Sequence, residues 1–164
     1  MNKQNSSYLP TVIYVAIFFV FYILTYTDIL PLKIGNAAPQ LLVSAVVAVA
    51  FFYGEWTGFL AGLIAGVFAD AVAANTVCFN MLTLMLIGLA VGLLINRYLN
   101  QNIFSALILS AAASFVYFFA YWVIFFVFSS HQNAVQYFLY YLLPSAVYSA
   151  AFVLLTYLPG RYLK

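Results

Sequence analysis

Few side chains in this chain could do chemistry: three acids, one histidine, one cysteine and five Lys and Arg among 164 residues. Asp70 is the most informative of them. It lies inside an apolar stretch, where a carboxylate costs roughly 2.5 to 3.5 kcal/mol at the centre of a membrane helix on insertion scales. Two readings fit its position: a hydrogen-bonding anchor or polar site between helices, or a helix-end acid that water reaches through the turn at Asn75 and Thr76. Glu55 precedes Asp70 by 15 residues, too far along a helix for the two carboxylates to work as an acid and base pair. With Gly54, Trp56 and Thr57 it reads as a solvated turn residue, and Trp56 as an interface anchor. His131 stands alone among Ser129, Ser130, Gln132 and Asn133, without the further ligands a metal would need. Cys78 can form no internal disulfide. No Ser-His-Asp pattern and no H-E-x-x-H pattern is present. The expectation is a chain that is not an enzyme and holds no cofactor or metal.

The elements that must position these residues follow from composition. Hydrophobic residues make up 68% of the chain and charged residues 5%, with a mean hydropathy of +1.10, which excludes a water-soluble globule. A net charge of +2 is too small for a nucleic-acid footprint or an anionic-lipid patch. The expectation is an all-α membrane protein, a bundle of six transmembrane helices in a single domain over residues 1–164 with no separate soluble part. The stretches run Thr11–Tyr26, Pro39–Tyr53, Thr57–Ala74, Phe79–Ile95, Ile103–Phe128 and Ala134–Leu158. The second is short for a span, and Pro39 suits its first turn. The third and fourth are separated by so few residues that they form an antiparallel hairpin. Pro144 should kink the sixth. With the N-terminus inside, Lys3, Arg97, Arg161 and Lys164 fall on the cytoplasmic side and Lys33 alone outside, so both termini are expected in the cytoplasm. The loops at 28–38 and 129–133 are too short to fold alone.

Small residues are arranged with a fixed step. Gly58, Gly62, Gly66 and Asp70 are spaced by four, which keeps them on one slowly winding stripe. Ala61, Ala65, Ala69 and Ala73 form a second stripe beside it, and the fourth helix carries Gly88 and Gly92 below Met81 and Met85. A face without side-chain bulk lets another helix come close. That neighbour is either the chain's own fourth helix or a helix of another protein, and the face is wide enough for both. Ser145, Ala146, Ser149 and Ala150 repeat the pattern after Pro144. The fifth helix is crowded with rings, among them Phe115, Tyr117, Phe119, Trp122 and Phe125, which suit lipid contact or a recognition surface.

Over nearly its whole length the sequence resembles the MreD family, small polytopic membrane proteins of the bacterial rod-shape system. The resemblance rests on the six hydrophobic stretches, on Ala38-Pro39-Gln40-Leu41-Leu42 opening the second helix and, most specifically, on the block GFLAGLIAGVFAD from Gly58 to Asp70. Family members commonly place a further glycine after this aspartate, where this chain reads Ala-Val-Ala-Ala-Asn-Thr-Val-Cys-Phe-Asn. The resemblance implies a non-enzymatic subunit of the cell-elongation complex in the bacterial cytoplasmic membrane. It would bind the single-span protein MreC and help couple the MreB cytoskeleton to the peptidoglycan glycosyltransferase and transpeptidase. Gly58, Gly62, Gly66 and Asp70 are the positions carried over, with Gly88 and Gly92 as their packing partners. The competing class is similar in architecture: the substrate-binding S components of energy-coupling-factor vitamin transporters. Those dock their coupling protein through an A-x-x-x-A surface on the first helix, whereas here that helix reads YVAIFFVFYILTY, with Ala16 its only small apolar residue. The chain also offers few polar groups to recognise a vitamin.

Overall fold

The computed structural model describes residues 20–25, 40–73, 78–99, 101–127, 136, 138–153 and 156–157. They form six helical segments and, among the described residues, no strand. The first, α1, covers residues 20–25. It is followed by α2 (Leu41–Tyr53), α3 (Glu55–Ala73), α4 (Phe79–Arg97) and α5 (Ile103–Trp122), the last continuing as a π-helical turn, Val123–Val127. A second π-helical turn, Phe138–Leu142, leads into α6 (Leu143–Ala151). Residues 55–72, 79–97 and 103–125 are each long and apolar enough to cross a membrane. The loop at 129–133, the turn at Asn75 and Thr76, most of the first stretch, Lys3, Lys33, Arg161 and Lys164 lie outside the described residues, so orientation is read from none of them.

The central helix is α2, shorter than the three that follow it. The sequence of α2, LLVSAVVAVAFFY, is apolar all round, so every face can be covered. Leu41, Leu42, Val43, Val46, Val47 and Ala50 are fully buried, with α3, α4, α5 and α6 packed around them. At about 1.5 Å per residue α2 is roughly 20 Å long, shorter than a hydrocarbon core of about 30 Å. Packed against the longer α3, α4 and α5, it needs no full span of its own. On one flank Phe21 of α1 packs against Leu41 and Ala45, and Tyr22 meets Phe68 of α3 edge to face.

Only one residue separates α2 from α3. Gly54 has φ of 87°, the left-handed region that glycine enters without steric cost. It reverses the chain on the spot, and its amide donates to the Ala50 carbonyl at 3.0 Å. α3 therefore starts at Glu55, two residues before the expected Thr57. At the same end, Asn96 of α4 donates to the Glu55 carboxylate at 3.2 Å, and Gln101 donates to the Phe51 carbonyl of α2 at 3.1 Å.

The closest seam joins α3 to α4. A Cβ added at Gly58 would lie 2.5 Å from the Ala50 methyl group and 2.6 Å from the Gly88 carbonyl oxygen. One at Gly62 would strike the Leu84 carbonyl, and one at Gly66 would strike the Met81 backbone. From the other side, Gly88 abuts the Gly58 carbonyl and Gly92 abuts Glu55. Four-residue steps on two antiparallel helices thus bring backbone against backbone from one end of the seam to the other. Ala65 and Ala69, on the adjacent stripe, are fully buried in the main core, while Leu60, Ile64 and Val67 on the far side of α3 are about half exposed. Pro144 is the second residue of α6 and follows the π-helical turn directly, with Leu142 also in the helical region, so its missing amide removes a donor from within a continuous helical run. The preceding π-helical turn, a local change of helical register, stands where the expected kink was placed.

This packing generates a direct test. Gly62→Ala should lower stability by about 1 to 3 kcal/mol, since backbone atoms cannot yield as a flexible side chain would. Leu60→Ala on the exposed face should cost under about 0.5 kcal/mol. Reversible unfolding in mixed micelles measures both, and equal losses would contradict the seam.

Candidate functional site

Asp70 lies one helical turn beyond Gly66, so its carboxylate is held against the start of α4. Oδ1 accepts the Asn80 backbone amide at 3.1 Å and the Asn80 side-chain amide at 2.9 Å. Oδ2 accepts the Met81 backbone amide at 2.9 Å. Asn80 and Met81 are the second and third residues of α4, whose N-cap, Cys78, gives no side-chain cap bond. The first amides of any helix lack partners within it. In a membrane they cannot turn to water, and each unpaired group costs several kcal/mol. Asp70 supplies from a neighbouring helix the cap that α4 lacks, and its carboxylate oxygens complement the positive end of the helix dipole.

From Asp70 the bonding continues across the bundle. The Asn80 side-chain oxygen accepts from the Tyr117 hydroxyl at 2.6 Å. The Tyr117 oxygen accepts from the Gln40 side-chain amide at 3.0 Å. The Gln40 backbone amide, at the N-cap of α2, donates to the Ser149 hydroxyl at 2.8 Å. Ser149 donates to the Ser145 carbonyl at 2.8 Å, and Ser44 donates to the Ser149 carbonyl at 2.6 Å. One connected set therefore links α3, α4, α5, α2 and α6. Counted from the end where Gly54 lies, Gln40, Asp70 and Tyr117 all stand about 20 Å along their helices, so the set is a layer across the bundle. Asn80 and Tyr117 are buried, and Asp70 is half-buried. Rings enclose it above: Phe79 packs on Tyr117, Tyr121 and Phe125 with centroids 5.5 to 5.8 Å apart.

The acceptors and donors of this layer are engaged with one another, which suits cohesion between helices and leaves no nucleophile beside a base. Glu55 lies in the opposite half of α3, on Asn96. Among the described residues no cluster of His, Cys, Asp and Glu could hold a metal. Cys78 is exposed and free, and His131 lies outside the described residues. Of the residues singled out from sequence, Gly58, Gly62, Gly66, Gly88 and Gly92 come together on one seam, with Asp70 at its end. Sequence reasoning gave Asn80 no role, named Gln40 only in the opening of the second helix, and took Tyr117 for a ring and Ser149 for its size. Their signal was polarity within or beside apolar spans, as for Asp70 itself.

The fold and this layer define an α-helical membrane protein whose polar groups bind its own helices to one another. Comparison with known proteins says which one: residues 6–163 match the family model for the rod shape-determining protein MreD. The chain belongs to the MreD family. No curated protein and no solved structure matches it.

Two substitutions contrast a buried polar group inside the layer with one outside it. Asp70→Asn turns one accepting oxygen into a donor facing another donor, and should destabilise by about 1 to 2 kcal/mol. Ser114, on α5 outside the layer, is fully buried, and among the described residues its hydroxyl has no partner. Ser114→Ala should be neutral or stabilising by up to about 1 kcal/mol. The same unfolding assay reads both, and a tolerated Asp70→Asn would show that its carboxylate is not the cap of α4.

Proposed function

We propose that this chain is a non-enzymatic integral subunit of the cell-elongation complex in the bacterial cytoplasmic membrane. It binds MreC through helix faces within the bilayer and so helps couple the MreB cytoskeleton to the peptidoglycan glycosyltransferase and transpeptidase. Family membership supplies the rod-shape role. The observation that carries the mode of action is the division of α3 into two faces. Its glycine face is filled by α4, whereas Trp56, Leu60, Ile64 and Val67 form an exposed apolar stripe along the other side.

A partner helix that meets this protein in hydrocarbon gains by close van der Waals fit, not by the hydrophobic effect, because lipid tails are equally apolar. An α3 held along its length by α4 suits that contact. In this reading Gly58, Gly62, Gly66, Gly88 and Gly92 act at one remove: with Asp70 they fix α3 on α4, and the opposite face of α3 is presented to MreC. A photo-reactive residue at Ile64 should capture MreC in living cells, and one at the buried Ala69 should not. Absence of MreC from adducts at Leu60, Ile64 and Val67 alike would refute contact on α3.

A further inference from the structure

The seam between α4 and α5 contrasts with that between α3 and α4. Although only a short connection joins them, α4 and α5 diverge and leave a groove of about 360 Å³. Thr83, Ile87, Ala90 and Leu94 line one wall, and Leu109 and Val116 stand on the other. Its lining is almost wholly apolar, so an occupant has to be hydrocarbon along this length. From Thr83 to Leu94 the groove runs about 16 Å, close to one leaflet's half of a hydrocarbon core of about 30 Å. Leu86, Ala90, Ala112 and Val116 along it are exposed, so the groove lies open to the surrounding lipid, and its length suits a single acyl chain.

What stands at its mouth fixes the rest of the occupant. The positions 83, 87, 90 and 94 step by four and three, and the next step on the same stripe is Arg97, the last residue of α4. Arg97 is exposed and, among the described residues, makes no ion pair or hydrogen bond. The nearest acid in sequence terms at this end, Glu55, is engaged by Asn96. On α5 the stripe through Leu109 continues to Ser105 and Asn102, the latter exposed. An apolar slot one leaflet deep thus opens beside an unpaired guanidinium and polar side chains where a headgroup layer begins.

We propose that this groove is a binding site for one membrane phospholipid, with an acyl chain between α4 and α5 and the headgroup phosphate on Arg97. Arginine suits a phosphate because its donors form a planar fork. The site involves neither the glycine seam nor the outer stripe of α3, and it stands whether or not the proposed contact with MreC does.

Native mass spectrometry of the purified chain, delipidated and titrated with phosphatidylglycerol or phosphatidylcholine, tests it without any partner protein. The wild type should retain one phospholipid, with phosphatidylglycerol preferred. Arg97→Gln should weaken phosphatidylglycerol retention about fivefold, the worth of one basic side chain near an anionic surface. The double variant Ala90→Leu with Ala112→Leu, two exposed positions that line the groove, fills it from its open side and should abolish retention of both lipids. Equal retention by wild type and both variants would overturn the proposal. So would a photo-reactive residue at Ala90 that captures another protein's helix in membranes in place of lipid.

Discussion

Everything in this bundle depends on the distance between α3 and α4. Amides at a helix start must find acceptors, and within hydrocarbon the acceptor has to be protein. Asp70 reaches those of Asn80 and Met81 only because Gly66, one turn earlier, lets its own backbone rest on that of Met81. A side chain at Gly66 would lift α3 away and carry the carboxylate with it. The four-residue series Gly58, Gly62, Gly66, Asp70 is therefore one device. Three positions set the spacing, and the fourth uses it.

That device also explains why a short apolar helix can occupy the centre. With α3 and α4 fixed as a pair, α2 can be sheathed on all sides and end below the level that a full span would reach. Its own start then falls inside the bundle, where the Gln40 backbone amide needs an acceptor just as those of Asn80 and Met81 do. Ser149 of α6 provides it, while the Gln40 side chain reaches Tyr117 and so joins the group around Asp70. Two helix starts at one depth, each capped from another helix, produce the polar layer. Its cost in desolvation is offset because its members complete one another's bonds.

Much of this was legible in the sequence, and the parts that were not share a cause. The stripe of glycines can be read from its spacing, since helical geometry converts a four-residue step into a face without further information. Gly88 and Gly92 could be matched to it because the intervening turn is short. The two readings of Asp70 could not be separated, as that required knowing that Asn80 follows at the right height on α4. Tyr117 is 37 residues from Asn80, and Ser149 is 109 residues from Gln40. No periodicity carries such pairings; they depend on which helices become neighbours and in what register. The start of α3 at Glu55 was missed for a local reason: a single glycine at positive φ replaced a turn that sequence patterns would draw over several residues. The π-helical turns, one at the end of the fifth stretch and one inside the sixth, have no reliable sequence sign at all.

Where a membrane protein uses its polar groups decides how it can deal with others. Here Asp70, Asn80, Tyr117, Gln40, Ser44 and Ser149 are turned on one another, so the hydrogen bonds that could have gone to a substrate or a partner instead hold five helices in register. The surface left over is of two kinds. One is the exposed apolar face of α3, where only shape distinguishes one neighbour from another. The other is the groove between α4 and α5, whose apolar depth and basic mouth match a molecule with the same order of properties along its length. Glycines on one side of α4 make its neighbour's position rigid, and divergence from α5 on the other side leaves room. The same helix thus has one partner bound without a gap and another held off, which places the bundle's internal cohesion and its contact with the membrane on opposite faces of α4.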